Sequence, residues 1–361
     1  MKTTEYLKTH GLDALIENYA IKVREYDDLI VLNYNQIESP KTDPIVMECR
    51  GLILEKDTYR VVCRRFDRFF NYGEAPETMT HLDTKKARVF DKVDGSLIGI
   101  YHYEGHWYAA TRGTAYAEAE CGWGGTFFEL VLYALNRDTY EGFDWKCDYH
   151  LNPETTYIFE ITSPENRIVT RYKGYTLHYL AARHNETGEY LDEEEDAIAV
   201  GATLINEHRF DTIEHCIEAA HSLPDLKEGY VIYQDGAPIC KIKSPTYMAI
   251  HAIRGEGLTP KRAMELIVTG EFGEYLFYFP EDEPFFTPYI DALTRLFNNF
   301  ELVWKEAQNI EDQKEFALAV KDYSFSSVMF TARKKRWSPY HTFNQMDVRQ
   351  RVKLLDSWMQ Q

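Results

Sequence analysis

The stretch DKVDGSLIGIY (91–101) decides how this chain is read. Most of it has the look of two strands closing on a tight turn. The pair Asp94-Gly95 predicts a hairpin, because a type I′ turn needs positive φ at both central residues. One residue stands out, Lys92, just ahead of the turn between Phe90 and Val93. A strand lysine is ordinarily a solvated guard against edge pairing. The alternative is a lysine placed to do chemistry, and the rest of the chain decides between the two.

A length of 361 residues allows two or three domains with a sizeable core. Hydrophobic content of 44% and aromatic content of 14% fit a globular protein. No stretch approaches the roughly 18 apolar residues of a membrane span. The opening MKTTEYLKTHGLDALIENYA lacks the apolar core of a signal peptide and predicts a short amphipathic helix. A cytoplasmic protein without membrane partners is therefore expected. Cys49, Cys63, Cys121, Cys147, Cys216 and Cys240 form no CxxC pair, which points to a reducing compartment rather than disulfides or zinc. The net charge of −18 weighs mildly against nucleic acid as a partner. The charge is uneven, however. Six carboxylates crowd residues 189–196, whereas basic residues gather at 60–68, 85–88 and 333–336.

Up to about residue 245 the chain offers short apolar segments broken by Gly, Asn and Asp: GLILE (51–55), SLIGIYHY (96–103), TYIFEIT (156–162), YTLHYLAAR (175–183) and EGYVIYQDGAPICKIK (228–243). These predict strands and hairpins, with a helix at 125–135 among them. Beyond about 250 the period becomes 3.6. Ile290, Leu293, Phe297, Phe300 and Trp304 recur at three and four, as do Val348, Val352 and Leu355. Pro260, Pro280 and Pro288 are expected to punctuate these helices. The expected organisation is one domain over 1–250 and a helical domain over 251–361.

Charge inside the strand-like segments carries the functional signal. In TYIFEIT, Tyr157, Phe159 and Ile161 share one face, while Glu160 lies on the other beside Ile158 and Thr162. Lys241 and Lys243 share a face, and Glu228 opens EGYVIY. A second Asp-Gly pair, at 235–236, also adjoins a strand bearing lysine. Taken singly, each is an ordinary surface residue. Taken together they suit nucleotidyl transfer. A lysine nucleophile must be neutral to attack, although its usual pKa is about 10.4, and neighbouring cations lower that value while holding phosphate. Carboxylates hold Mg²⁺ or accept hydrogen bonds from a ribose. Neither a Walker loop nor a GxGxxG fingerprint is present.

KVDG (92–95) resembles the KxDG signature of the covalent nucleotidyltransferases, which comprise DNA ligases, RNA ligases and mRNA-capping enzymes. FEI around Glu160, EGY (228–230) and KIKS (241–244) follow in the family's order. ECRG (48–51), DRFFNYGE (67–74), TRG (111–113), PENRIV (164–169) and HNETGEY (184–190) complete the set. Together, over roughly residues 30–250, it resembles the phage-type ATP-dependent RNA ligase family, RNA ligase 1 branch. The resemblance implies an α+β fold: an ATP-grasp-like nucleotidyltransferase domain of antiparallel sheets with flanking helices, then an all-helical C-terminal domain.

Roles follow by resemblance, position by position. Lys92 would hold AMP as a lysyl phosphoramidate, and Gly95 would let the backbone approach the nucleotide. Arg50 would contact phosphate. Arg68 and Arg112 stand where the family usually has lysine, and would do the same. Phe70 would lie near the nucleotide, Glu160 would bind the ribose, and Glu228 would support the metal through water. Lys241 and Lys243 would stabilise α-phosphate charge. Tyr247 matches a family tyrosine, but ordinary packing is the simpler reading. The implied cofactors are ATP and Mg²⁺, or Mn²⁺ in its place. The implied partners are single-stranded RNA ends or a nicked tRNA loop, met by a monomer, in a host cytoplasm if the source is a phage. Arg333, Lys334, Lys335 and Arg336, ahead of Trp337, are candidate RNA contacts. Two alternatives stay open: another KxDG enzyme, of DNA ligase or capping type, and a non-catalytic nucleic-acid-binding module. The first usually carries a β-rich OB domain where this chain reads helical. The second would have damaged the lysine–carboxylate set, which is intact.

Overall fold

The structure is a computed structural model, and it describes residues 1–121, 124–135, 151–224, 226–255 and 257–360. The chain divides into two compact units, Met1–His251 and Ala252–Gln361. The first is α+β and is built on antiparallel sheets. A four-stranded meander joins Ile21–Glu25, Leu29–Tyr34, Arg50–Glu55 and Val61–Cys63. A six-stranded sheet is centred on Thr155–Thr162, flanked by Ser96–Tyr103 and Thr176–His184. A five-stranded sheet runs in the order Glu207–His208, Arg88–Lys92, Gly229–Gln234, Ala237–Lys243, Phe70–Asn71, and only its last pair is parallel.

The alternation read from TYIFEIT governs how the two larger sheets meet. Tyr157, Phe159 and Ile161 pack into one core with Ile98, Ile100 and the helix Phe127–Ala134. Thr126 and Glu129 close that helix's N-terminus with a reciprocal capping box. Ile158 faces the other way, against Phe66, Val231 and Tyr233 of a second core. Glu160 points to that same side by strand period alone, toward the five-stranded sheet.

The hairpin expected at Asp94-Gly95 does not form. Arg88–Lys92 belongs to the five-stranded sheet and Ser96–Tyr103 to the six-stranded one, so Val93, Asp94 and Gly95 carry the chain across between them. Neither Asp94 nor Gly95 has positive φ. What holds the crossing is the buried Asp94 carboxylate. One oxygen accepts from the amides of Val169 (2.8 Å) and Thr170 (2.7 Å), and the other from the Tyr247 hydroxyl (2.6 Å). The identical dipeptide Asp235-Gly236 does turn a hairpin. Its φ angles of 52° and 78° join Gly229–Gln234 to Ala237–Lys243.

The second unit consists of helices among its described residues. Glu283–Ala307 supplies the central face, with Leu296, Phe300 and Val303 packed on Phe316, Phe325, Phe343 and Leu355. Thr259, Asp312, Ser338 and Asp347 each accept a backbone amide at a helix start. Pro288 lies inside Glu283–Ala307 rather than ending it. The one hydrogen bond it forgoes sits near the N-terminal end of a long, well-packed helix. Of the six cysteines, five are buried, and Cys147 lies outside the described residues. Among the described residues no helix is long and apolar enough to cross a membrane.

The Asp94 anchor yields a stability prediction. Asp94→Ala orphans two amides and a buried hydroxyl, so it should cost roughly 2–4 kcal/mol, whereas Tyr247→Phe should cost only about 1 kcal/mol. Denaturant unfolding of both variants measures the gap, and equal costs would refute the assignment.

Candidate active site

Sheet register assembles the centre of the site. Gly229 is paired with Lys92 on one side and with Lys243 on the other. Three adjacent strands thus bring both lysines beside Glu228, the residue preceding Gly229. Lys92 Nζ donates to Glu228 Oε2 at 2.7 Å, and Lys243 Nζ to Oε1 at 2.8 Å. Glu228 is only 4% exposed, while each lysine keeps about a fifth of its side chain open. A buried carboxylate needs such partners, because an isolated buried charge is costly.

The cluster lies at a cavity of about 420 Å³ between the two larger sheets. Lys92, Lys241 and Lys243 line it from the five-stranded sheet, Ser96, Leu97 and Glu160 from the six-stranded one, and Arg50, Phe69 and Arg112 from the flanking segments. Glu160 Oε1 accepts the Gly95 amide at 3.2 Å. Arg50 rests 5.5 Å over Phe69, and its Nη1 is buried without a hydrogen-bond partner among the described residues. Lys241 Nζ lies 5.4 Å over the same ring.

Electrostatics separates the charged groups. Burial pushes the Glu160 carboxyl up to about 7; Lys92 pulls it down, and Glu228 adds to the rise. Burial alone would raise Glu228 too, but Lys92 and Lys243 hold it below its ordinary value. For Lys92, burial favours the neutral amine, yet Glu228, Glu160 and Asp94 outweigh it and hold the ammonium above its usual pKa. The lysine that moves down is Lys241, to about 8, through burial and then the charges of Lys92, Arg50 and Lys243. The expectation that neighbouring cations lower the pKa of Lys92 is therefore reversed in the nucleotide-free chain. The carboxylates decide it, because one of them is in direct contact.

Other sequence-derived positions fall as follows. Phe70 does not line the cavity. It is buried under the Arg68 guanidinium at 4.7 Å, and its neighbour Phe69 supplies the aromatic wall instead. Adjacent residues of an extended segment point to opposite sides, so a shift of one position exchanges wall for core. Arg68 is engaged by the Tyr34 hydroxyl (2.8 Å) and by Glu74 (3.5 Å). Gly95 lines the cavity, and a Cβ there would overlap the Ile161 carbonyl oxygen of the neighbouring strand. Tyr247, read as packing, also bonds Asp94 and has Lys243 Nζ 5.2 Å over its ring. In the helical unit, Arg333 donates to the carbonyls of Ile310 (2.7 Å) and Glu311 (2.6 Å), whereas Lys334, Lys335 and Arg336 are exposed.

Sequence reading missed Tyr34. Its ring carries Arg112 at 4.6 Å and Arg68 at 5.0 Å. Burial would raise its phenol, but Arg112, Arg68 and Arg50 together hold it below the ordinary value. The available signal was the polar end of an otherwise apolar strand, LIVLNY.

With the geometry in place, comparison with known proteins gives the family. A family model described as RNA ligase matches residues 48–247. The chain belongs to the RNA ligase family. A protein of Autographa californica nuclear polyhedrosis virus named "Putative bifunctional polynucleotide kinase/RNA ligase" is 38% identical over 305 residues, covering 81% of this chain. The chain spans only 44% of that relative's length. An RNA ligase of Rhodothermus phage RM378 is 26% identical and is covered over 80% of its length, against 79% of this chain. Among solved structures, an archaeal ATP-dependent RNA ligase shares 16% identity over 93% of this chain and 82% of its own, with a TM-score of 0.45. The family assignment rests on the sequence matches and not on this distant likeness in shape.

The raised Glu160 carboxyl makes a pH prediction. A carboxyl with a folded-state pKa of about 7, above its ordinary 4.5, destabilises the fold as pH rises between those values. Glu160→Gln removes that loss. Its melting temperature should match wild type near pH 4 and exceed it by roughly 7 °C at pH 8. A gap that fails to widen with pH would contradict the assignment.

Proposed function

We propose that the chain is an ATP-dependent RNA ligase that joins 5′-phosphate and 3′-hydroxyl ends through a lysyl-AMP intermediate. The observation that carries this reading is the Lys92–Glu228–Lys243 cluster in a cation-rich cleft of an RNA ligase family member. In the first step Lys92 Nζ attacks the α-phosphorus of ATP. The N–P bond forms as the bond to the pyrophosphate oxygen breaks, and pyrophosphate leaves. Lys92 must first surrender a proton to solvent, because Glu228, at 2.7 Å and held below its ordinary pKa, stabilises the ammonium rather than taking that proton. Lys241 and Lys243 face charge developing on the α-phosphate. Arg50, with its unpartnered buried nitrogen, and Arg112 suit the remaining phosphates. Glu160 keeps one oxygen for the ribose while the other fixes the Gly95 amide.

In the second step an oxygen of the RNA 5′-phosphate attacks the same phosphorus. The N–P bond breaks, the lysine regains a proton, and AMP ends joined 5′-to-5′ through a pyrophosphate. In the third, the 3′-hydroxyl oxygen attacks the RNA phosphorus, AMP departs, and the hydroxyl proton passes to solvent. Glu228 would support a divalent metal of the Mg²⁺ or Mn²⁺ kind. Both oxygens of Glu228 are held by lysines, which suits contact through water and the nucleotide's own phosphates rather than an all-protein cage. Such an ion supplies positive charge at the reacting phosphate when bound.

The helical character of the described residues beyond 251 supports the RNA ligase branch over relatives that end in a β-rich barrel. We assign that unit to RNA choice, with nicked tRNA loops in a host cytoplasm as the candidate substrate.

The test is end-joining on 5′-phosphorylated RNA with ATP and Mg²⁺. Wild type should yield an AMP-capped intermediate and a phosphatase-resistant sealed product. Lys92→Ala should lose ATP-dependent sealing by about 10³-fold or more, yet still seal RNA that already carries the 5′-AMP. Undiminished sealing by Lys92→Ala, or joining of DNA ends alone, would refute the proposal.

A further inference from the structure

We infer that the helical unit holds a second RNA subsite, a pocket that takes a nucleobase of a single-stranded segment while cations around its rim hold the flanking phosphates. The inference deepens the ligase reading and rests on it for the choice of RNA. The pocket, of about 520 Å³, lies among the helices Ser326–Lys335, Pro339–Gln345 and Val348–Met359. It lies wholly within the second unit and shares no residue with the cavity at Lys92.

Its lining mixes polar groups with Val328, Met346 and Leu354, and carries one aromatic wall and one cation, Lys353. Ser327, Thr331, Gln345 and Gln350 line it beside the Trp337 indole. Hydroxyls and amides both donate and accept, as a base edge requires, and a Trp face is a stacking surface for any base. The remaining observation is charge. Residues 331–354 carry seven lysines and arginines and a single acid, Asp347, in a chain with net charge −18. Two of the seven are committed internally: Arg333 to the Ile310 and Glu311 carbonyls, and Arg351 to the Val268 carbonyl at 2.6 Å. Lys334, Lys335, Arg336, Arg349 and Lys353 are exposed and form no ion pair among the described residues. Lys334, Lys335 and Arg336 close a helix C-terminus, where cations are favourable without any ligand. That account does not reach Lys353, which lines the pocket itself. A pocket with Lys353 in its wall and Lys335 Nζ 5.8 Å over its Trp337 ring complements a phosphate chain with a base turned inward.

The test is fluorescence anisotropy of the full-length protein with a labelled single-stranded oligoribonucleotide, without ATP, over a range of salt. Lys353→Glu should weaken binding about tenfold and reduce the salt slope by about one. Trp337→Leu should weaken binding about tenfold with the slope unchanged. Both variants should melt as wild type does and form lysyl-AMP at the wild-type rate. Binding within twofold of wild type in the exposed Lys353→Glu variant would overturn the subsite. So would a polyglutamate peptide that binds wild type as tightly as RNA and loses affinity in the same variants. A chain that binds RNA in this way but never forms lysyl-AMP would sink the ligase reading and leave the pocket standing.

Discussion

One buried carboxylate organises the first unit's cleft. Glu228 is almost sealed from solvent and is shared by Lys92 and Lys243 across three strands in register. Removing either lysine leaves part of a buried charge uncompensated, which is why such a cluster constrains its surroundings more than it adds net stability. The same contact sets the resting state of the proposed nucleophile. Glu228 favours the ammonium form of Lys92, which must lose a proton before it can attack. A bound nucleotide would bring anionic oxygens for Lys241 and Lys243, and an accompanying divalent cation would be held near the Glu228 carboxylate.

Much of this was legible in the sequence because it follows from strand period. TYIFEIT placed Glu160 on the face opposite Phe159, and KIK placed its two lysines together; the sheets then turned those faces into one cavity. The unreadable parts depend on long-range partners. The two Asp-Gly pairs are locally alike, yet only Asp235-Gly236 turns a hairpin. Asp94 is captured by Val169, Thr170 and Tyr247, residues 75 to 153 positions away. The same limit hid the protonation order. Cations near Lys92 were countable in the sequence, but the 2.7 Å contact to Glu228 that outweighs them was not. Phe69 and Phe70 show how a displacement of one residue exchanges cleft wall for core. Tyr34 became a site residue only when Arg50, Arg68 and Arg112 converged on it from separate segments.

The overall charge of −18 misleads for a related reason. Net charge says nothing about where cations collect, and they collect in two places that suit phosphate. One is the cleft around Arg50, Arg112 and the three lysines, and the other is the basic stretch 333–353 of the helical unit. The two fields differ in kind. Those of the cleft are largely buried and fixed, as chemistry at a single phosphorus requires. Those of the helical unit are mostly exposed, as suits a polymer that must be held and released.

The central claim is that Lys92, and not the more easily deprotonated Lys241, carries the nucleotide. The most direct measurement is peptide mass mapping of the intact protein after incubation with ATP and Mg²⁺, under conditions that preserve phosphoramidates. The account predicts one added AMP, on the peptide containing Lys92. AMP on Lys241 would show that acidity rather than position selects the nucleophile, and no covalent AMP on a freshly deadenylated chain would contradict the mechanism outright.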